Sequence, residues 1–213
     1  MTIIHSKPQP MFLLWKLKKE KKIPLQPIYM DSPMGTSVFK IFQKYPQWHK
    51  LAPALCHQIM KDIEVIDNVE DTYRLAEDTS QKIIIAGSGM ATGGRVLTYF
   101  EYHLGNPQST ILLSGYQAEG TRGRALLEGA KEIKLHGKFW EVRAKIRQIE
   151  GLSAHADQKG LLEWMNEIRI PPKHTFIIHG EKESAEGLQK AIAEKLGWKS
   201  HIASLQEKIS IEL

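Results

Sequence analysis

Gln81-Lys82-Ile83-Ile84-Ile85-Ala86, running straight into Gly87-Ser88-Gly89-Met90-Ala91-Thr92-Gly93-Gly94-Arg95, sets the fold class of this chain. The apolar run is of the kind that forms a strand covered on both faces. Four glycines, two hydroxyls and an arginine follow it, after which Val96-Leu97-Thr98-Tyr99-Phe100 turns helical. The same order then recurs as strand Thr110 to Ser114, glycine-rich loop Gly115 to Gly123 and helix Arg124 to Gly129. Repeated strand, loop and helix units predict a parallel α/β sheet, and both loops fall at the carboxyl ends of its strands, where such sheets bind ligands.

Upstream, Phe12 to Leu17 predicts a helix with an apolar stripe, running into Lys16, Lys18, Lys19, Lys21 and Lys22 and stopped at Pro24. The lysines read as a solvated helix end that complements the macrodipole. Pro27 to Pro33 predicts a short strand ending in a turn. Thr36 to Lys44 predicts a helix that offers Phe39, Ile41, Phe42 and Tyr45 to a core, and Thr72 to Glu77 a short helix. Beyond Lys131 the pattern changes to short strands, Glu132 to Leu135 and Val142 to Ile149. Helices follow at Leu161 to Met165 and Ser184 to Leu196, the last ended by Gly197.

With 213 residues, 42% of them hydrophobic, the chain is expected to fold as one large domain or two small ones. One cysteine, Cys56, excludes an internal disulfide framework and a cysteine-based zinc site; it suits a reducing compartment, so the expected location is cytoplasmic. No apolar run approaches the ~18 residues of a membrane span, and Met1 to Lys7 lacks the apolar core of a signal peptide, so neither a membrane nor secretion is expected. A formal charge of +5 favours a polyanionic partner.

The loop from Gly87 to Arg95 admits two readings. Backbone amides at a helix start, unobstructed by Cβ atoms, can receive a phosphate, with Ser88, Thr92 and Arg95 adding contacts. Alternatively, Gly87, Gly89 and their neighbours serve only tight turning and close packing. It is neither a Walker loop nor Gly-x-Gly-x-x-Gly. The second loop carries Ser114, Arg122 and Arg124, and three arginines across two such loops point to an anionic, phosphate-bearing ligand.

Farther on, Gly151-Leu152-Ser153-Ala154-His155-Ala156-Asp157 and Phe176-Ile177-Ile178-His179-Gly180-Glu181 each put a histidine where an apolar run ends. Two exposed imidazoles suit metal binding or proton transfer. Asp157 either orients an imidazole or, like Ser153, caps a helix. His5, His49, His57, His103, His136, His174 and His201 read as surface or packing residues, and Asp31 before Ser32-Pro33 as turn chemistry. No His-x-His-x-Asp-His cluster occurs, so the chain holds only part of a metal site.

Taken in order, Asp31-Ser32-Pro33, Ala86 to Arg95, Ser114-Gly115-Tyr116-Gln117-Ala118-Glu119-Gly120-Thr121, Leu152 to Asp157 and Ile178 to Glu181 resemble the β-CASP branch of the metallo-β-lactamase superfamily, and within it the bacterial and archaeal relatives of the mRNA 3′-end cleavage endonuclease. The resemblance runs from about Leu13 to the C-terminus. It implies an α/β chain: a parallel-sheet β-CASP domain followed by the C-terminal returning part of a metallo-β-lactamase αββα domain. The expected division is an atypical segment 1–10, a β-CASP domain 11–138 and lactamase elements 139–213.

In that family RNA phosphodiester bonds are hydrolysed at a two-zinc site. The resemblance implies that His179 is a metal ligand and that His155 lies near the scissile phosphate. The remaining zinc ligands belong to a lobe that does not appear in this sequence, and the opening ten residues do not match the family's Gly-Arg-x-Gln-Glu segment. RNA is the implied partner, with Ser88, Thr92, Arg95, Ser114, Arg122 and Arg124 gripping its backbone. The chain alone is expected to be inactive, with its C-terminal third exposing apolar surface unless the absent lobe or another copy covers it. Two alternatives stand beside this reading: a non-catalytic RNA-binding or dimerising module, and a Rossmann-like nucleotide binder.

Overall fold

A computed structural model describes residues 2–5, 8–152 and 155–211, with side chains described from Pro10 onward. They form two compact units, Met1–Ser153 and Ala154–Leu213.

In the first unit the chain order is β1 (Thr2–His5), α1 (Pro8–Lys19), β2 (Ile28–Asp31), α2 (Pro33–Lys44), a 3-10 turn at Pro46–Trp48, α3 (Pro53–Asp62), β3 (Glu64–Val65), α4 (Val69–Glu77), β4 (Ile83–Ala86), α5 (Val96–His103), β5 (Thr110–Leu113), α6 (Arg122–Leu127), β6 (Glu132–Leu135), β7 (Lys138–Glu141) and β8 (Lys145–Gln148). Six strands make a wholly parallel sheet in the order β3-β2-β4-β1-β5-β8, while β6 and β7 form a separate antiparallel hairpin.

Strand β4 shows why the apolar run decides the fold. All four of its residues are buried, because β2 and β1 flank it and both faces carry helices. Its alternation splits the core in two. Ile83 and Ile85 pack with Ile28 and Met30 of β2, Met11 and Trp15 of α1, Phe39 of α2 and Ile59 of α3. Ile84 and Ala86 pack on the opposite side with Leu75 of α4, Tyr99 and Phe100 of α5, and Leu126 of α6. Three helices on each face of a parallel sheet make this a doubly wound α/β unit.

Helix α5 starts where expected, at Val96; the other expected helices of this unit begin two to four residues earlier, where local caps and first-turn prolines place them. Ser32 caps α2 by accepting from the Gly35 N–H with Pro33 in the first turn, and Asn68 caps α4 by accepting from the Asp71 N–H at 2.7 Å. Further details depart from the sequence reading, among them α3, which it does not predict. Ile41 and Tyr45 face solvent, because α2 buries only Thr36 and Phe39. Helix α6 starts two residues early, at Arg122, because Thr121 caps it. The stretch Val142 to Ile149 is not one strand: β7 ends at Glu141, and after a break at 142–144 the chain enters the sheet as β8. Strand β1 lies at the centre of the sheet, between β4 and β5, in a segment whose side-chain pattern gives no expectation of it.

The second unit contains α7 (Gln158–Asn166), β9 (Phe176–Ile177), α8 (Lys182–Leu196) and β10 (His201–Ile202), with β9 and β10 paired in parallel. Gly197, at φ 68°, ends α8 in the left-handed conformation expected of a C-terminal glycine. Its core is small: Leu162, Met165, Ile177, Ala185, Ala191 and Ile192. Trp164, Ile170 and Ile178 are largely exposed.

Candidate functional site

Asp31, Ala86 and Leu113 end three strands at the carboxyl edge of the first unit's sheet, with Asp31 and His5 in register with Ala86 on its two sides. The Asp31 carboxylate is completely buried. It accepts hydrogen bonds from Arg95 Nη1 and from the Tyr99 hydroxyl, each at 2.5 Å. Arg95 also donates to the carbonyls of Ile66 and Asp67, each at 2.9 Å. Burial, reinforced by the Asp31 carboxylate, pushes the Tyr99 phenol far above its ordinary range, so it remains an O–H donor. Ser32, not Asp31, performs the turn chemistry expected there. The legible signal for Asp31 is an aspartate ending a strand immediately before an N-cap serine, with an arginine ending the glycine loop that follows Ile83 to Ala86.

The first glycine loop folds on itself. Ser88 Oγ accepts from the N–H groups of Thr92 and Gly93 at 3.2 and 3.3 Å and lies 3.3 Å from Thr92 Oγ1. Gly94 has φ 77°, and a Cβ there would stand 2.8 Å from the Gly87 carbonyl, so this position requires glycine. The Gly87 carbonyl meanwhile accepts the Val96 N–H that opens α5.

The second loop is bolted to the first. Arg122 donates from Nη1 to the carbonyls of Ala91 and Thr92, both at 3.2 Å, and from Nε to that of Lys134 at 2.6 Å. The buried Gln117 amide donates to the Gly89 carbonyl at 2.9 Å, and the Gly123 N–H to that of Met90 at 3.0 Å. Arg124 donates to Glu128 at 2.6 Å and to the Gln117 carbonyl at 3.4 Å. Ser114 is fully buried, and its hydroxyl has no hydrogen-bond partner among the described residues. The arginines' hydrogen bonds therefore run into the fold. Beside Ser88 and Thr92 opens a hollow of about 540 Å³, bounded by Asp31 to Met34 on one side and by Gly87, Ser88 and Thr92 to Arg95 on the other. Ser114, Arg122 and Arg124 do not line it.

In the second unit, His155 is exposed in the turn before α7, well beyond the end of β8. Asp157 caps α7, its Oδ1 accepting the Gly160 N–H at 2.8 Å. Ser153, the other candidate cap, lies outside the described residues. His179 is exposed between β9 and α8 with φ 64°, a left-handed backbone that costs a non-glycine residue about 1–2 kcal/mol. Among the described residues, no three His, Cys, Asp or Glu side chains come together where they could hold a metal ion. These residues alone therefore do not fit zinc. Of the remaining histidines, His136 pairs with Glu101 at 2.7 Å, and His103 is buried on α5.

The comparisons with known proteins agree with this architecture. The Beta-Casp domain family model matches residues 11–126, more than half of the chain, and the model described as a Zn-dependent metallo-hydrolase RNA specificity domain matches 140–203. The chain belongs to the β-CASP family of metallo-β-lactamase-fold RNA nucleases. Among individual relatives, it is 28% identical over 180 residues to Ribonuclease TTHA0252 of Thermus thermophilus, which covers 81% of this chain and 40% of that protein. It is 30% identical to Transcription termination factor FttA of Pyrococcus abyssi, covering 80% and 28%, and 34% identical to an RNase J-like protein of Methanocaldococcus jannaschii, covering 73% and 36%. The chain spans less than half the length of these curated relatives. At family level zinc is part of the chemistry. Among the described residues, no helix is long and apolar enough to cross a membrane.

Proposed function

We propose that this chain provides the RNA-gripping side of a zinc-dependent RNA phosphodiester hydrolase of the β-CASP type. The observation that carries the proposal is the paired glycine loops at one sheet edge, cross-linked by Arg122, Gln117 and Gly123 beside an open hollow. A phosphodiester backbone is the polyanion such an edge suits, in keeping with the chain's +5 charge. Ser88 and Thr92 hold RNA directly, with Gly87 and Gly89 giving the backbone close approach. Arg95, Arg122 and Arg124 keep the loops in shape, and Ser114 supports the second loop from beneath.

In the second unit, His179 is the side chain offered to zinc and His155 the one held near the scissile phosphate, with Asp157 fixing the turn between His155 and α7. The other ligands come from a metallo-β-lactamase lobe that covers Trp164, Ile170 and Ile178. Residues 11–138 form the β-CASP part and 139–213 the lactamase part, a division bracketed by family matches that end at 126 and begin at 140. The chain acts in the cytoplasm. Its single thiol, Cys56, is buried, and burial pushes its pKa up, keeping it protonated and inert.

A second reading, a module that binds RNA without cleaving it, is favoured by the lack of a metal-holding group among the described residues. Both readings require RNA binding. Anisotropy titration of labelled single-stranded RNA against salt is expected to give an affinity that falls steeply as salt rises, and Thr92→Glu is expected to weaken it severely. Binding that ignores both salt and Thr92→Glu would refute the assignment of this edge.

A further inference from the structure

Away from the glycine loops, the outer face of α2 and the 3-10 turn after it present a surface that no core requirement explains. Trp48 is 82% exposed, Ile41 56% and Tyr45 42%. Ile41, Phe42, Tyr45, Trp48 and His49 line a shallow basin of about 300 Å³. It has a firm base: Phe42 and His49 stack with ring centroids 4.8 Å apart and planes 10° from parallel, and His49 Nε2 lies 2.7 Å from the Phe42 carbonyl. Trp48 thus stands on a braced turn rather than on a loose loop.

Charge identifies the occupant. From Ser32 to Lys61 the sequence contains Lys40, Lys44, Lys50 and Lys61 and not one aspartate or glutamate, although the whole chain has nearly as many acids as bases. Lys40, Lys44 and Lys50, close in sequence to the basin residues, are exposed, and Lys44 Nζ sits 5.5 Å from the Tyr45 ring centroid. Exposed aromatic rings among cations with no anions are how proteins hold single-stranded nucleic acid, with bases stacking on the rings and phosphates lying along the lysines. A protein partner covering an apolar patch does not call for a rim of one charge sign.

We propose that Trp48 and Tyr45, flanked by Lys40, Lys44 and Lys50, form a base-stacking site that holds single-stranded RNA apart from the glycine-loop edge. The proposal rests on the reading of this chain as an RNA-binding protein and adds a second point of grip. Stacking does not depend on base identity, so the site anchors the strand with little sequence preference.

The test is anisotropy of the whole chain with a labelled 12-nucleotide single-stranded RNA, a duplex of equal length, and an equally long abasic strand. Trp48→Ala is expected to weaken single-strand binding roughly 10-fold, the effect of one lost base–aromatic stack, and Trp48→Phe to restore most of it. Lys44→Ala is expected to lower the salt slope by about one. The abasic strand should bind as weakly to the native chain as the RNA does to Trp48→Ala. Single-strand affinity unchanged in Trp48→Ala but lost in Thr92→Glu would overturn the stacking site while leaving the proposed function standing. Loss of a dimer in Trp48→Ala with RNA affinity intact would make this face a protein contact, again overturning the proposal. No RNA binding by the native chain would end both readings.

Discussion

In sequence, the glycine-loop edge of the first unit resembles the histidine turns of the other: each is a run of polar residues following an apolar stretch. In the structure they differ in kind. At the loop edge, nearly every polar group is spent within the fold, with Asp31 gripped by Arg95 and Tyr99, and Arg122 and Gln117 stitching one loop to the other. At the histidine turns, His155 and His179 are exposed, and Asp157 beside His155 caps α7. The difference separates residues that shape a surface from residues offered by it, and substitution should pull the two classes apart.

The largest expected effect is at the buried ion pair. Arg95→Ala leaves the Asp31 carboxylate buried with only the Tyr99 hydroxyl, and should cost about 3–5 kcal/mol in urea or thermal unfolding. A loss below about 1 kcal/mol, in the range of an exposed pair, would show that the edge is not held together this way. Gly123→Ala comes next. The added Cβ would fall 1.7 Å from Gln117 Oε1, so Gln117 must leave its place between the loops, at about 1–3 kcal/mol. RNA binding should fall with it, because the two loops are no longer fixed to each other.

Asp157→Ala should cost the second unit about 1 kcal/mol by removing a helix cap, seen as faster amide exchange at the start of α7. Unchanged exchange would return Asp157 to the alternative role of orienting an imidazole. Buried His103 makes stability depend on pH. Burial lowers the pKa of His103 below its ordinary 6.5, so its neutral form belongs to the folded state. The stability it lends is present above pH 6.5 and is lost as pH falls through the lowered value; His103→Gln should flatten that acid limb. The smallest expected effect is at His179. His179→Asn keeps a residue tolerant of φ 64°, so stability should stay within about 0.5 kcal/mol, and any zinc bound by the assembled site should be lost.

Much of this architecture was legible in the residues, for identifiable reasons. The run Ile83 to Ala86 is apolar at every position because helices cover both faces, so it announces a central parallel strand. Gly197 marks the end of α8 by local chemistry that needs no tertiary context, whereas Ser32 and Thr121, equally local caps, are missed by the sequence reading, which starts α2 and α6 too late. Strand β1 was not legible, because four residues at a chain start carry no period, and their place between β4 and β5 is set by backbone pairing with distant strands. Helix α3 escaped for a related reason: only Cys56 and Ile59 of its ten residues are buried. At the site, Ser88, Thr92 and Arg95 do share one hollow. Sequence spacing gave the residue types but not the direction of each side chain. Whether an arginine turns outward to a ligand or inward to Asp31 depends on a carboxylate 64 positions away.

The most direct test is the zinc content of the purified 213-residue chain, measured alongside hydrolysis of a labelled single-stranded RNA, with His179→Ala in parallel. The account predicts salt-sensitive RNA binding with no stoichiometric zinc and no cleavage, in native and variant alike. About two zinc ions per chain, with chelator-sensitive cleavage lost in His179→Ala, would contradict it by showing a complete metal centre within these residues.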